Sequence, residues 1–156
     1  MIKEWLIDNN IQGTIRFYGT PAEEGGSGKV YMVREGLFND VDIVLHWHPD
    51  DVNGANAMTN NSNKSARFTF RGISAHAAGA PELGRSALDG VESMNMMVNM
   101  MREHMPQSSR IHYVITKGGL APNVVPDLAE VYYYVRHPKM YLSLIHISEP
   151  TRPSTI

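Results

Sequence analysis

Hydrophobic and polar positions follow two rhythms along this chain. In the second half, Ala66, Phe68 and Phe70 alternate with Arg67, Thr69 and Arg71, which predicts a strand with one solvated face. From Ser86 the period becomes helical. Ala87, Val91, Met94, Val98, Met101 and Met105 form one apolar stripe. Ser86 followed by Asp89 resembles a capping box, and Pro106 marks the end. Ile111, Tyr113 and Ile115 alternate again, Gly118 and Gly119 turn the chain, and Leu128 to Arg136 reads as a further strand. Strand–helix–strand–strand predicts a small α+β domain with its helix on one sheet face.

The first half is less periodic. Residues 1–10 read as the end of a helix with an apolar patch at Trp5, Leu6 and Ile7. Residues 13–19 and 41–47 are near-continuous apolar runs, predicted as buried strands. Between them a loop of small residues, 20–28, leads into a short helix over 29–35 with Gly36 at its C′ position. Strand, helix and strand at this spacing predict a βαβ unit of a parallel sheet. Residues 53–65 are asparagine-rich and polar, as expected of an interdomain connection.

Composition adds exclusions. The chain has 156 residues, 42% hydrophobic, with 14 basic and 16 acidic side chains and no cysteine. It can bury a core, and it has no thiolate site and no disulfide framework. A net charge of −2 gives no overall basic field for nucleic acid or for a membrane surface. No apolar run approaches the length of a membrane span, and residues 1–5 lack a signal-like apolar region, so a soluble cytoplasmic protein is expected.

Several residues could carry chemistry. Glu23 and Glu24 lie in the loop between the first predicted strand and helix, where open α/β sheets gather ligands. Paired acids there can divide metal binding from proton transfer, or can simply stabilise a helix N-terminus. His46 and His48 flank Trp47 at the end of the second run, and His48 beside Glu24 suits a zinc-like ion. His76 sits among small residues in Gly72–Ala78, either a reactive loop histidine or an idle turn residue. Asn123 and Arg136 could grip a carboxylate, with a turn asparagine and a surface arginine as the alternative. Residues 25–29 superficially suggest a phosphate loop, but Val30 follows the lysine and two acids precede it, so nucleotide binding is rejected.

The ordered segments 19–29, with its double glutamate, 74–78, 84–89 and 123–127 together resemble the signatures of the M20 metallopeptidase and amidohydrolase family, over residues 1 to about 138. The resemblance implies an α/β fold. Residues 1–56 would be part of a metal-binding catalytic domain with a parallel sheet, and 57–138 part of a ferredoxin-like α+β lid that makes a homodimer, with a second subunit as a further partner. It implies hydrolysis of an N-acyl or aminobenzoyl amino acid with two divalent ions, zinc or manganese. Glu23 would be the general base, Glu24 and His48 metal ligands, and His76 the lid residue that steadies the oxyanion. Asn123 and Arg136 would hold the substrate carboxylate; His46 has no counterpart. An aminopeptidase or deacylase of the same family is an alternative, as is a non-catalytic dimerisation or binding protein.

The chain departs from that pattern. The family's upstream His-x-Asp or His-x-Cys segment and its C-terminal histidine ligand have no counterpart here. Residues 142–153 resemble a translated sequencing adapter. The expectation is therefore an internal piece of a longer enzyme, inactive alone, with a non-native tail over 139–156.

Overall fold

The computed structural model describes residues 2–55, 57 and 59–143. The chain divides into two compact units at Gly54/Ala55, each taken separately.

The second unit contains a three-stranded antiparallel sheet. Strand β1 is Ser62–Arg71, β2 is Arg110–Lys117 and β3 is Leu128–His137; β3 lies between the other two. Both neighbours run antiparallel to it, so β1 and β2 point the same way with the last strand inserted between them. Pairs such as Phe68↔Val131 and Tyr113↔Tyr133 fix the register, and a bulge near Thr116 shifts it at the end of β2. Alternation sorts the side chains. Ala129, Val131, Tyr133 and Val135 of β3 are buried with Ile111, while Tyr132, Tyr134 and Arg136 point to the other face.

A long helix covers the inner face. Its residues, Ala87–Met101, bury Ala87, Val91, Asn95 and Val98. The helix starts where the Ser86 hydroxyl accepts the Asp89 N–H at 3.1 Å. Val91 and Val131 are fully buried, each contributing roughly 1.5–3 kcal/mol. Phe68, Phe70, Leu88, Met94, Met101 and Tyr113 close the margins of this core. The predicted stripe is thus right at Ala87, Val91 and Val98, and Asn95 occupies a buried position that the apolar pattern passes over. Asn95 accepts a hydrogen bond from the buried Tyr133 hydroxyl, which satisfies both groups. The expected α+β arrangement, helix on one face of the sheet, is present.

The first unit corrects an expectation. Its elements are helices: α1 Ile2–Asp8, a single distorted turn α2 Glu23–Gly26, and α3 Gly28–Arg34. With these introduced, the long helix of the second unit is α4. Residues 13–19 and 41–47 are not strands, and no parallel sheet is present among the described residues. An apolar run records a preference for burial and carries no partner with it. Among the described residues no further strand offers these runs a ladder, and Phe17 (96% exposed) and Leu45 (77%) remain in solvent. What does hold the unit is local. Arg16 makes a two-pronged pair with Asp40 at 2.5 and 2.7 Å, and this guanidinium keeps the Asp40 carboxyl below its usual range. Tyr18 packs on Phe38 at 4.8 Å and donates to the Leu37 carbonyl at 2.9 Å. Gly36, at φ 74°, ends α3 with bonds from Gly36 N–H to Val33 and Leu37 N–H to Met32, the closure that a left-handed C′ residue permits.

No helix among the described residues is long and apolar enough to cross a membrane. Met140–Ser143 is helical and Ser143 is fully buried, its hydroxyl 2.8 Å from that of Ser62. The rest of the expected tail, 144–156, lies outside the described residues.

Candidate functional site

The candidate residues fall into separate places. Glu23, Glu24, His46 and His48 belong to the first unit; His76, Asn123 and Arg136 belong to the second.

Glu23 and Glu24 sit on the tight turn α2. Ala22 and Ser27 flank it in left-handed conformations (φ 53° and 52°), and Glu24 and Gly25 depart from helical angles within it. Such conformations at non-glycine residues cost of order 1–3 kcal/mol each. The Gly28 N–H closes the turn on the Ala22 carbonyl at 3.2 Å. Both acids are exposed and precede α3, although no strand delivers them. His48 places Nδ1 2.8 Å from the Pro49 carbonyl. A carbonyl only accepts, so Nδ1 carries the proton and Nε2 presents its lone pair. That is the tautomer a metal-ligating imidazole adopts. Nearby, the Asp51 N–H bonds Asp50 at 2.8 Å and lowers that carboxyl's pKa. Among the described residues no three or more His, Cys, Asp or Glu side chains come together around a common point. A carboxylate and an imidazole with a free lone pair fit a divalent cation in kind and fall short in number.

His76 and Asn123 are brought together. The segment after β1 pairs with the segment before β3: Gly72 N–H bonds Asp127 at 2.7 Å, Val125 N–H bonds Ala75 at 3.0 Å, and Ala77 N–H bonds the Asn123 carbonyl at 2.9 Å. His76 and Val124 form an isolated antiparallel bridge. Gly72 makes this junction possible. A Cβ there would lie 2.0 Å from the Arg85 carbonyl oxygen and 2.9 Å from that of Pro126, so only glycine fits. His76 Nδ1 accepts the Ala78 N–H at 3.2 Å, which assigns the proton to Nε2. Exposed and so polarised, His76 presents an N–H donor outward.

Arg136 is not brought together with Asn123. It is the penultimate residue of β3, eight residues beyond Leu128, roughly 26 Å along the strand. The His76–Asn123 bridges continue in the opposite direction from the Leu128 end. One carboxylate cannot touch both side chains of a single chain. Arg136 instead lies on the outer sheet face, its guanidinium 5.4 Å from the Tyr134 ring centre. Tyr134 meets Tyr132 edge-on at 5.2 Å, and Arg67 lies 4.1 Å over the Tyr132 ring. Their hydroxyls, 3.4 Å apart, split the pair: the Tyr132 pKa is lowered and that of Tyr134 raised. At the far end Glu130 accepts from Thr116 at 2.7 Å and from Arg67 at 3.0 Å, and these two donors hold its carboxyl below the usual range. Strand alternation alone puts Tyr132, Tyr134 and Arg136 on one face. It misses Arg110, which the register sets directly opposite Arg136.

An antiparallel sheet with one helical cover, joined by a split β-α-β connection, defines a small α+β domain with a histidine loop at one end. A sequence model of the peptidase dimerisation domain, M20 type, matches residues 58–143, and the chain belongs to this family. It is 51% identical over 140 residues to a subunit of the p-aminobenzoyl-glutamate hydrolase of Escherichia coli (strain K12), covering 89% of this chain and 29% of that protein. It is 34% identical over 122 residues to the Xaa-Arg dipeptidase of Mus musculus (78% and 28% covered). It is 31% identical over 124 residues to the indole-3-acetyl-aspartic acid hydrolase of Enterobacter agglomerans (76% and 28%). The chain thus spans under a third of the length of these relatives.

Proposed function

We propose that this chain supplies part of the machinery of an amide hydrolase acting on p-aminobenzoyl-glutamate or a related N-acyl amino acid. The observation that carries the reading is the 51% identity to the Escherichia coli p-aminobenzoyl-glutamate hydrolase subunit across 89% of the chain. Glu23, exposed on its strained turn, takes the proton of the attacking water and returns it to the leaving amine. Glu24 and the His48 Nε2 are two of the donors for zinc or manganese. Such ions, when bound, acidify a water and polarise the amide carbonyl. His76 gives its Nε2–H to the oxyanion of the tetrahedral intermediate, a role its tautomer supports. Asn123, beside it, binds polar substrate atoms. Arg136, at the far end of the sheet, takes the free carboxylate.

The second unit also pairs with a second copy of the chain, or with a related protein of the same family. The dimerisation-domain match supports this, as do the edge of β2, which has no further strand beside it among the described residues, and the exposed Met96 and Met100 of α4, which line a groove of about 590 Å³ with Tyr113 and Ile115. Light scattering on the purified chain reads this directly, and a monomer at every concentration refutes it.

The hydrolytic reading is tested by exchange. The aligned segment of this chain replaces its counterpart in the Escherichia coli protein, and turnover of p-aminobenzoyl-glutamate is measured with zinc or manganese. The folded chimera is expected to hydrolyse the amide, and Glu23→Gln within it to lose about 10²–10⁴-fold in kcat. Near-normal kcat in that variant removes Glu23 from the mechanism. A folded but inactive chimera supports a purely dimerising or binding role.

A further inference from the structure

We propose that Arg110 and Arg136 together form a two-carboxylate site, in which Arg110 reads the side-chain carboxylate of an acidic amino acid whose main-chain carboxylate is held by Arg136. The proposal rests on the reading of Arg136 as a substrate clamp and adds a specificity-determining partner to it.

The register carries the inference. Arg110 of β2 pairs directly with Arg136 of β3 on the outer face, and Asn63 of β1 faces Arg136 from the other side. Like charges directly opposite on adjacent strands repel, and their Cβ atoms are only about 4.5–5.5 Å apart. Water weakens this repulsion at exposed residues, and an anion bound between the two groups would relieve it further. The chain itself supplies none: among the described residues neither arginine has a carboxylate within ion-pair distance. By parity this face carries Arg67, Arg71, Arg110, Lys117 and Arg136 against Glu130 alone, and Glu130 is taken by Thr116 and Arg67 at the opposite end. A chain with a net charge of −2 therefore gathers an unneutralised positive corner here.

Both guanidinium groups are steadied. Arg110 donates Nη1 to the carbonyls of Gln107 and of Ser109, the latter at 2.7 Å, which leaves its other N–H groups for a ligand. Arg136 rests against the Tyr134 ring. Both residues are exposed, so a solute reaches them without rearrangement. The ligand's dimensions follow. Two carboxyl carbons separated by three tetrahedral carbons, as in a glutamyl group, stand roughly 5 Å apart at full extension, given C–C bonds of about 1.5 Å. Side chains of directly paired residues on one sheet face are neighbours, so both guanidinium groups can reach one short diacid. The adjoining row, Tyr134 opposite His112, offers flat rings to the acyl half of an aromatic amide.

The test uses the 156-residue chain and two synthetic probes, N-benzoyl-glutamate and N-benzoyl-glutamine, titrated while amide and arginine Nε–H resonances are followed. The diacid is expected to bind the Arg110–Arg136 row about three- to fivefold more tightly than the amide analogue, the worth of one exposed ion pair. Arg110→Gln should abolish that preference and leave affinity for N-benzoyl-glutamine unchanged, whereas Arg136→Gln should weaken both probes. Should the Gln variant lose its dispersed spectrum, Arg110→Met, which keeps an unbranched side chain and removes the charge, takes its place, and an unchanged preference there overturns the proposal. Equal affinities in the parent chain, equal loss of both probes in Arg110→Gln, or no binding at this row also overturn it. The measurement involves no turnover, so a failure of the hydrolytic reading and a failure of this site are seen separately.

Discussion

Removing one oxygen atom from the core tests how α4 is held on its sheet. The Tyr133 hydroxyl donates to Asn95 Oδ1, with Tyr133 3% and Asn95 5% exposed. Tyr133→Phe keeps the ring against Phe68, at 5.9 Å, and Tyr113, at 5.0 Å, so packing changes little. What remains is a buried acceptor without its donor. That costs about 1–3 kcal/mol, where making the bond in the first place is worth only about 1 kcal/mol. Against a total stability of roughly 5–15 kcal/mol for a small domain, the loss is easily measured by urea unfolding as a lower midpoint at constant slope. Asn95→Leu alone should cost a similar amount by stranding the hydroxyl. Tyr133→Phe combined with Asn95→Leu removes donor and acceptor together, and should return to within about 1 kcal/mol of the parent. A single Tyr133→Phe variant within about 0.5 kcal/mol of the parent, or strictly additive losses in the double variant, would refute the bond as the cause.

Burial pushes the Tyr133 phenol up from 10.0 to about 12. Its folded pKa exceeds its unfolded one, so its contribution is present below pH 10 and is lost as pH rises towards 12; unfolding midpoints should fall over that window, and less steeply in Tyr133→Phe. Ser86→Ala should cost about 0.5–2 kcal/mol by removing the acceptor for the Asp89 N–H, while Ser86→Gly should cost only a few tenths; equal effects in urea unfolding would exclude capping as the reason. Gly72→Ala should destabilise by about 1–3 kcal/mol, because the new methyl meets backbone oxygens that cannot move aside. Hydrogen exchange at Ala77 and Val125 should accelerate with it, and protection unchanged from the parent would show that the His76 loop does not depend on this junction.

The second unit was largely legible because its periodicities are unmistakable and each element has a partner within reach. The alternation at Phe68 and Phe70 and the stripe through Ala87, Val91 and Val98 both reappear as packed surfaces. Strand lengths were less legible: β1 begins at Ser62, within the stretch expected to be a connection, because cross-strand bonding to His137 organises polar residues that have no hydrophobic signature. Asn95 could not be told from a surface asparagine without knowing that Tyr133 lies beneath it. In the first unit, the apolar runs through Ile15, Phe17, Ile43 and Leu45 spelled strands, but a parallel strand is a property of its neighbours. For the candidate site, composition and spacing pointed to Glu23, His48 and His76, and the structure adds the tautomers of the two histidines. It sets His76 beside Asn123 and parts Arg136 from both. The Arg110–Arg136 pair depends on a register that no single segment encodes.

The order of the sheet has a consequence for how this domain comes into being. Its middle strand is its last, since Leu128–His137 must slide between Ser62–Arg71 and Arg110–Lys117 before either has a ladder partner. On the ribosome, α4 and the two outer strands emerge first and can only wait. The pairing Ser62↔His137 closes a loop of 75 residues, so the entropy of the chain is overcome late and all at once. Assembly is therefore slower than the helix alone would suggest, and until residue 137 clears the exit tunnel two unpaired strands stand open to any chain nearby.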